Sequence, residues 1–221
     1  MAYHFKNLIF EGGGVKGAAY VGALIALKDK GILDNITRVS GTSAGAITAV
    51  LVALNYSNKE IGTILGELDF RSFMDQSWFL KNVSRLARKF GWYKGDFFET
   101  WIGDIIETKT GKRDTTFSEI SVKSNKKGFK ELFIVGTNLS THYAEVFSHE
   151  KTPDMPIAEA VRISMSIPLF FASKKNKRGD TYVDGGMLAN YPVKLFDRAK
   201  YVKENARDRL LRQSQSKTPQ Q

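Results

Sequence analysis

Read as a string of apolar and polar positions, the chain opens with two short apolar runs, each leading straight into a helical pattern. Leu8-Ile9-Phe10 has the length of a buried strand, and a helical stretch over 18–30 follows it, with Gly31 as a C-terminal glycine cap. A β-branched run over 36–40 predicts a second strand. The stretch 46–54, small and apolar on every side, predicts a buried helix directly after it. This β-α-β-α order predicts an α/β domain on a mostly parallel sheet with right-handed crossovers. Ser57-Asn58-Lys59-Glu60 has capping-box spacing and predicts a helix to about Leu68.

The middle of the chain changes character. Trp78, Trp92 and Trp101 all fall here, among phenylalanines and basic residues. Phe79, Val83, Leu86 and Phe90 recur at helical spacing with Lys81, Arg85, Arg88 and Lys89 between them, the pattern of a basic amphipathic helix. Such a helix either packs on the domain or serves as a lid at a lipid interface. Asp96 is expected to cap a helix with apolar positions Phe97, Trp101 and Ile105 and the neighbouring Phe98, Ile102 and Ile106, ending by Gly111. The stretch 123–130 is expected to be a basic loop, and 131–135 and 143–147 to be strands. Pro156 suits the first turn of a helix through Val161 and Ile163. A charged turn over 174–180 leads to the strand Thr181-Tyr182-Val183, and 194–212 predicts a basic amphipathic helix. The expected organisation is one catalytic-sized domain over 1–197 with a cap or lid at about 70–110, then the basic helix and a disordered tail over 198–221.

Composition narrows the chemistry. The chain has 221 residues, enough for one sizeable domain, and its 42% hydrophobic and 25% charged residues are those of a globular protein. It has no cysteine, which excludes disulfides, thiolate catalysis and thiolate metal sites. His4, His142 and His149 are the only imidazoles. No apolar run reaches the ~20 residues of a membrane-spanning helix, and the start of the chain is unlike a signal peptide. A formal net charge of +10 favours anionic partners, either nucleic acid or an acidic lipid surface.

Three glycine motifs carry the candidate chemistry. Gly41-Thr42-Ser43-Ala44-Gly45 joins the second predicted strand to its helix and has G-x-S-x-G spacing. A strand that turns at once into a helix pushes the serine hydroxyl out of the sheet end, and glycines at both flanks let strand and helix approach. Gly12-Gly13-Gly14-Val15-Lys16-Gly17 follows the first strand. Gly12, Gly14 and Gly17 also satisfy the dinucleotide fingerprint G-x-G-x-x-G, which calls for an acidic residue at the end of the second strand. The serine turn stands there instead. The same backbone can bind an anion, so the amides of Gly12, Gly13 and Gly14 are expected to form an oxyanion hole. Asp184-Gly185-Gly186 follows the last strand and leaves a carboxylate uncovered. No histidine follows His149, so the serine-acid-histidine order is excluded for Asp184. Two options remain: an earlier acid working with His142 or His149, or Asp184 itself as the base for Ser43, with its pKa raised by burial.

Taken together and in this order, the three motifs resemble the patatin-like phospholipase family, and the resemblance extends over about 8–197. Thr137-Asn138-Leu139, 164–168 and Asn190-Tyr191-Pro192 match the family in style. The resemblance implies a three-layer α/β fold, with Ser43 as nucleophile, Asp184 as general base and the Gly12, Gly13 and Gly14 amides as oxyanion hole. Lys16 stands where the family keeps a basic residue. It also implies hydrolysis of fatty-acyl esters of phospholipids or lysophospholipids by a calcium-independent enzyme with no cofactor and no metal. The partner would be a membrane phospholipid surface rather than nucleic acid, reached from the cytoplasm or after delivery into another cell. One departure is that little chain follows the D-G-G segment, which implies a smaller sheet or a shortened form. The competing readings are a non-catalytic module that binds lipid or an anionic polymer, and a nucleotide-binding domain using Gly12 to Gly17.

Overall fold

The computed structural model of the chain describes residues 5–68, 91–93, 95–176 and 178–201. The amphipathic stretch around Arg85 and the tail from 202 onward lie outside the described residues. Among the described residues a mixed sheet holds β1 (Asn7–Phe10), β2 (Arg38–Thr42) and β4 (Glu131–Asn138) as parallel neighbours in that order. Both β5 (Tyr143–Ser148) and β8 (Thr181–Asp184) run antiparallel to β4, and the short β7 (Lys174–Lys175) pairs with β8. A separate parallel pair joins β3 (Gly91–Tyr93) to β6 (Leu169–Phe171). The α/β architecture expected from the sequence is the one the chain adopts, with the main sheet mixed rather than mostly parallel, because β5 and β8 both run antiparallel to β4.

Helices flank this sheet: α1 (Tyr20–Asp29), α2 (Ala44–Ala53), α3 (Asn58–Gly66), α4 (Asp96–Thr110), α5 (Phe117–Lys127), α6 (Ile157–Ser164) and the one-turn α7 (Gly186–Ala189). Every residue of α2 is buried, as a helix apolar on all sides must be. Full burial of its Ile47, Val50 and Leu51 contributes roughly 1.5–3 kcal/mol per side chain. Strand alternation gives β4 two different faces. Leu132 and Ile134 join the main apolar core. On the opposite face, Phe133 meets the rings of Phe196, Tyr201 and His149 nearly edge-on at 5.0, 6.1 and 6.1 Å. The residues after the D-G-G segment therefore cover the far side of the sheet.

The capping box at α3 is present in full, with Ser57 and Glu60 bonding each other's backbone amides. Other expectations are corrected. The basic stretch 123–130 is mostly helix, not loop. Thr116 and Glu119 cap each other's amides, start α5 at Phe117, and the helix runs on until Gly128 at φ +71 ends it. Asp96 is the first residue of α4 rather than its cap, a place taken by Gly95 at φ +74. That helix buries Phe98, Ile102 and Ile106 in the core, so this half of the expected cap segment is part of the domain body. The described start of the expected basic helix consists of two 3-10 turns, Val193–Phe196 and Ala199–Tyr201.

Gly45 shows how tightly α2 sits on β1, because a Cβ there would run into the carbonyl oxygens of Phe10 and Glu11. Gly45→Ala is expected to lower stability by about 1–3 kcal/mol or more. Gly22→Ala, in α1 with open space around the added carbon, is expected to raise it by about 0.5–1 kcal/mol. Urea unfolding of the two variants beside the parent chain measures both.

Candidate active site

The position of Ser43 follows from the two strands that end beside it. β2 runs parallel to β4 and stops with Thr42 opposite Val135, so one further step in that register would bring Ser43 opposite Gly136. β8 runs antiparallel to β4 and stops with Asp184 opposite that same Gly136. Because β5 occupies the other edge of β4 along 133–138, β2 and β8 share one edge and meet there end to end. Residues far apart in sequence are thereby brought together by the hydrogen-bond register of a single strand.

Ser43 sits at φ 54 and ψ −129, a conformation a non-glycine residue occupies only when its surroundings impose it. The constraint is steric. A Cβ at Gly41 would overlap the Gly45 carbonyl, so the turn closes to the point where only glycine fits. The three residues at the end of α6 hold both halves of the site. Ser164 Oγ accepts the Ser43 amide at 2.9 Å and donates to the Val135 carbonyl at 2.6 Å. The Ser43 hydroxyl points to Met165 Sδ at 3.7 Å, and the Ser166 carbonyl accepts the Asp184 amide at 2.9 Å. These roles were not apparent in sequence, where 164–168 stood out only by likeness.

Asp184 is buried. Its Oδ1 accepts the Gly186 amide at 2.6 Å, while Oδ2 has no hydrogen-bond partner among the described residues. Burial raises its pKa from an ordinary 3.8 to about 6, against smaller lowering effects from the Ser43 hydroxyl and the Gly186 amide. The Ser43 hydroxyl is thus close enough to influence the carboxyl even though it points to the Met165 sulfur in this rotamer. Among the described residues, neither His142 nor His149 is a hydrogen-bond partner of Ser43 or Asp184. His142 lies at φ 60 in the turn between β4 and β5, and His149 packs against Phe133. Asn138, of the Thr137-Asn138-Leu139 stretch, caps the amides of Ser140 and Thr141 and donates to Glu145, which makes it a turn and sheet organiser.

The glycine loop passes directly over Ser43. A Cβ at Gly12 would collide with the Asn190 side-chain oxygen and stand 3.1 Å from Ser43 Cβ. The Gly12 amide is engaged by the Asn190 carbonyl at 3.1 Å, so it is not available to an oxyanion. The amides of Gly13 and Gly14 donate to no other group among the described residues and open the 3-10 helix Gly14–Ala19. Of the three amides expected to bind an anion, two are free to do so. At the far end of the loop a Cβ added at Gly17 would stand 3.5 Å from Ala44 Cβ, so the motif sits close against α2.

A fold of this kind, with a serine turn, a buried aspartate and a glycine loop meeting at one sheet end, defines a class. The patatin-like phospholipase family model matches residues 8–197, and the chain belongs to that family. A protein of Acanthamoeba polyphaga mimivirus is 42% identical over 87% of this chain and 61% of its own length. YqhO of Bacillus subtilis is 38% identical over 86% of this chain and 66% of its own. A protein of invertebrate iridescent virus 6, named a probable lipid hydrolase, is 27% identical over 87% of this chain and 63% of its own. The chain thus spans a little under two thirds of the length of these relatives. Among solved structures, VipD of Legionella pneumophila superposes with a TM-score of 0.65 at 24% identity, over 86% of this chain and 47% of that one. ExoU, from the type III secretion system of Pseudomonas aeruginosa, gives 0.54 at 26% identity, over 75% of this chain and 39% of that one.

The Asp184 environment makes a prediction that needs no substrate. A carboxyl whose pKa is raised by folding adds stability while protonated, below its unfolded value, and that contribution is lost as pH rises through about 6. Asp184→Asn is therefore expected to be more stable than the parent above pH 7, by up to about 3 kcal/mol. The difference should shrink to near zero below pH 4, and thermal melts of both proteins across that range measure it.

Proposed function

We propose that the chain is a serine acyl hydrolase that cleaves fatty-acyl esters of phospholipids or lysophospholipids, independently of calcium, through Ser43 and Asp184. The observation that carries this reading is the strained Ser43 backbone beside a buried carboxyl whose Oδ2 has no partner among the described residues. Family membership supports lipid esters as the substrate class. In the proposed reaction Asp184 Oδ2 takes the proton of Ser43 Oγ as the oxygen attacks the acyl carbonyl carbon. The developing oxyanion accepts from the Gly13 and Gly14 amides, contributions of ~3 kcal/mol each in comparable sites. The proton passes from Asp184 to the departing alkoxide, leaving an acyl-serine. A water, deprotonated by Asp184, then attacks the acyl-serine, and Ser43 Oγ leaves with that proton. A base with a pKa of about 6 is ionised at neutral pH yet basic enough to accept a proton in the transition state.

A lipid surface is the proposed partner, and the rim of the site supports it. Val15, Leu169, Met187, Leu188, Tyr191 and Val193 are all exposed, and each lies within about four residues of a group lining the site. Lys16 and Lys194 directly follow Val15 and Val193 in the chain, which suits an anionic interface, and the chain carries a net charge of +10. Among the described residues no helix is long and apolar enough to cross a membrane, and the proposal is peripheral contact.

Ser43→Ala and Asp184→Asn are each expected to reduce hydrolysis of a soluble ester by on the order of 10³-fold or more, with the double variant little worse than either. His142→Ala and His149→Ala should retain most activity; a histidine variant as inactive as Ser43→Ala would refute the dyad. In the parent, the rate should fall as pH drops through about 6, where Asp184 becomes protonated. The rim makes a separate prediction. Leu188→Glu combined with Val193→Glu should weaken flotation with phosphatidylglycerol vesicles by about 10-fold or more while soluble-ester turnover is kept. Unchanged flotation would place lipid contact elsewhere.

A further inference from the structure

The proposed reaction leaves Asn190 without a task, yet its contacts link the loop to the base. Asn190 lies immediately after α7, six residues beyond Asp184, and reaches back to the start of the chain. Its backbone carbonyl accepts the Gly12 amide at 3.1 Å. Its Nδ2 donates to the Gly12 carbonyl at 3.1 Å and to Glu11 Oε1 at 3.0 Å. Two acceptors at one end of the side chain fix which end is nitrogen. The side-chain oxygen is then directed toward the site. A Cβ at Gly186 would lie 2.9 Å from both Asn190 Oδ1 and Asp184 Oδ1. The α7 turn is itself tied to the serine turn, since Thr42 Oγ1 donates to the Ala189 carbonyl at 3.1 Å. Gly12 is thereby gripped on both its amide and its carbonyl by one residue.

We infer that Asn190 is a positioning residue that sets the Gly13 and Gly14 amides at their working distance from Ser43, which rests on the acyl-hydrolase reading above. The chemistry of the contact explains the residue type. Holding Gly12 by its carbonyl demands a donor, and holding Glu11 at the same time demands a second N–H on the same nitrogen. Aspartate, with the same shape, has neither. Oxyanion donors act only when aimed within a few tenths of an ångström of where charge develops. A loop left to the flexibility of three consecutive glycines would not hold that aim. Because Asn190 and Asp184 share one short segment, the oxyanion loop and the base are located by the same piece of backbone.

The test is steady-state hydrolysis of a soluble short-chain ester by the full chain, with Ser43→Ala as reference. Turnover by the parent that Ser43→Ala lacks establishes the reading on which the inference rests; if the two are equal, that reading fails, whatever Asn190 does. Given that difference, Asn190→Ala and Asn190→Asp are each expected to lower kcat about 10- to 100-fold with KM changed less than about 3-fold. Equal loss in the isosteric aspartate separates hydrogen-bond donation from the filling of space. Melting temperatures should stay within a few degrees, since the side chain is only partly buried. Parental kcat in Asn190→Asp, or a raised KM with kcat unchanged, would overturn the inference. Should the Asn190 variants fail to fold, exposed Glu11 decides it. Glu11→Ala should lose activity several-fold and Glu11→Gln, which keeps a side-chain oxygen as acceptor, should recover most of it; parental kcat in Glu11→Ala would overturn the role.

Discussion

The meeting of β2 and β8 on one edge of β4 is the constraint from which the rest of the site follows. One strand arrives parallel and stops opposite Val135; the other arrives antiparallel and stops opposite Gly136. Neither can lengthen without displacing the other, so both must turn away where they meet. The turn of β2 into α2 carries Ser43, and the turn of β8 into α7 carries Asp184. Gly136 is needed opposite the junction, where a Cβ would press on Phe147 and Ile163 at 2.8 and 2.9 Å. Gly185 is needed for the same reason, its added carbon falling on the Val135 backbone and 2.9 Å from Thr42 Cγ2. Here glycine is a requirement of close approach more than of backbone freedom.

What this junction does chemically depends on how little water it admits. A carboxylate on an open loop would keep a pKa near 3.8 and be a poor base for an alcohol. Burial between strand ends removes much of its hydration, and the single amide from Gly186 does not replace it. The fold thereby carries a destabilised group at neutral pH, a trade common where a carboxyl must accept a proton. Ser164 and Ser166 make the arrangement rigid: one takes the Ser43 amide, the other supplies its carbonyl to Asp184, and both are fully buried.

Much of this was legible along the chain, because the signals are local. The capping box at Ser57 and Glu60, the all-apolar α2, the serine turn and the D-G-G strand end each declare themselves within a few residues. The misreadings are local too. The stretch 123–130 looks like a loop when judged by its lysines, serine and asparagine, but a helix already started by Thr116 and Glu119 propagates through such residues until a glycine stops it. What could not be read is the set of contacts across the chain. Asn190 reaches Glu11 over 179 positions and Ser164 reaches Ser43 over 121, and no spacing rule encodes either. For that reason Gly12 looked like an oxyanion donor: nothing in its neighbourhood reveals that its amide is already bonded. The parallel register of β2 with β4 and the antiparallel register of β8 are equally silent in sequence, although together they assemble the site.

The central claim is that Ser43 is a nucleophile activated by Asp184, and its most direct test is covalent. Incubation with a long-chain alkyl fluorophosphonate, followed by intact-mass and peptide mass spectrometry, reports which side chain reacts. The account predicts one adduct per chain on Ser43, forming readily at pH 8, slowing as pH falls through about 6, and absent in Asp184→Asn. An adduct on another residue, or labelling of Ser43 at an undiminished rate without the Asp184 carboxylate, would contradict it.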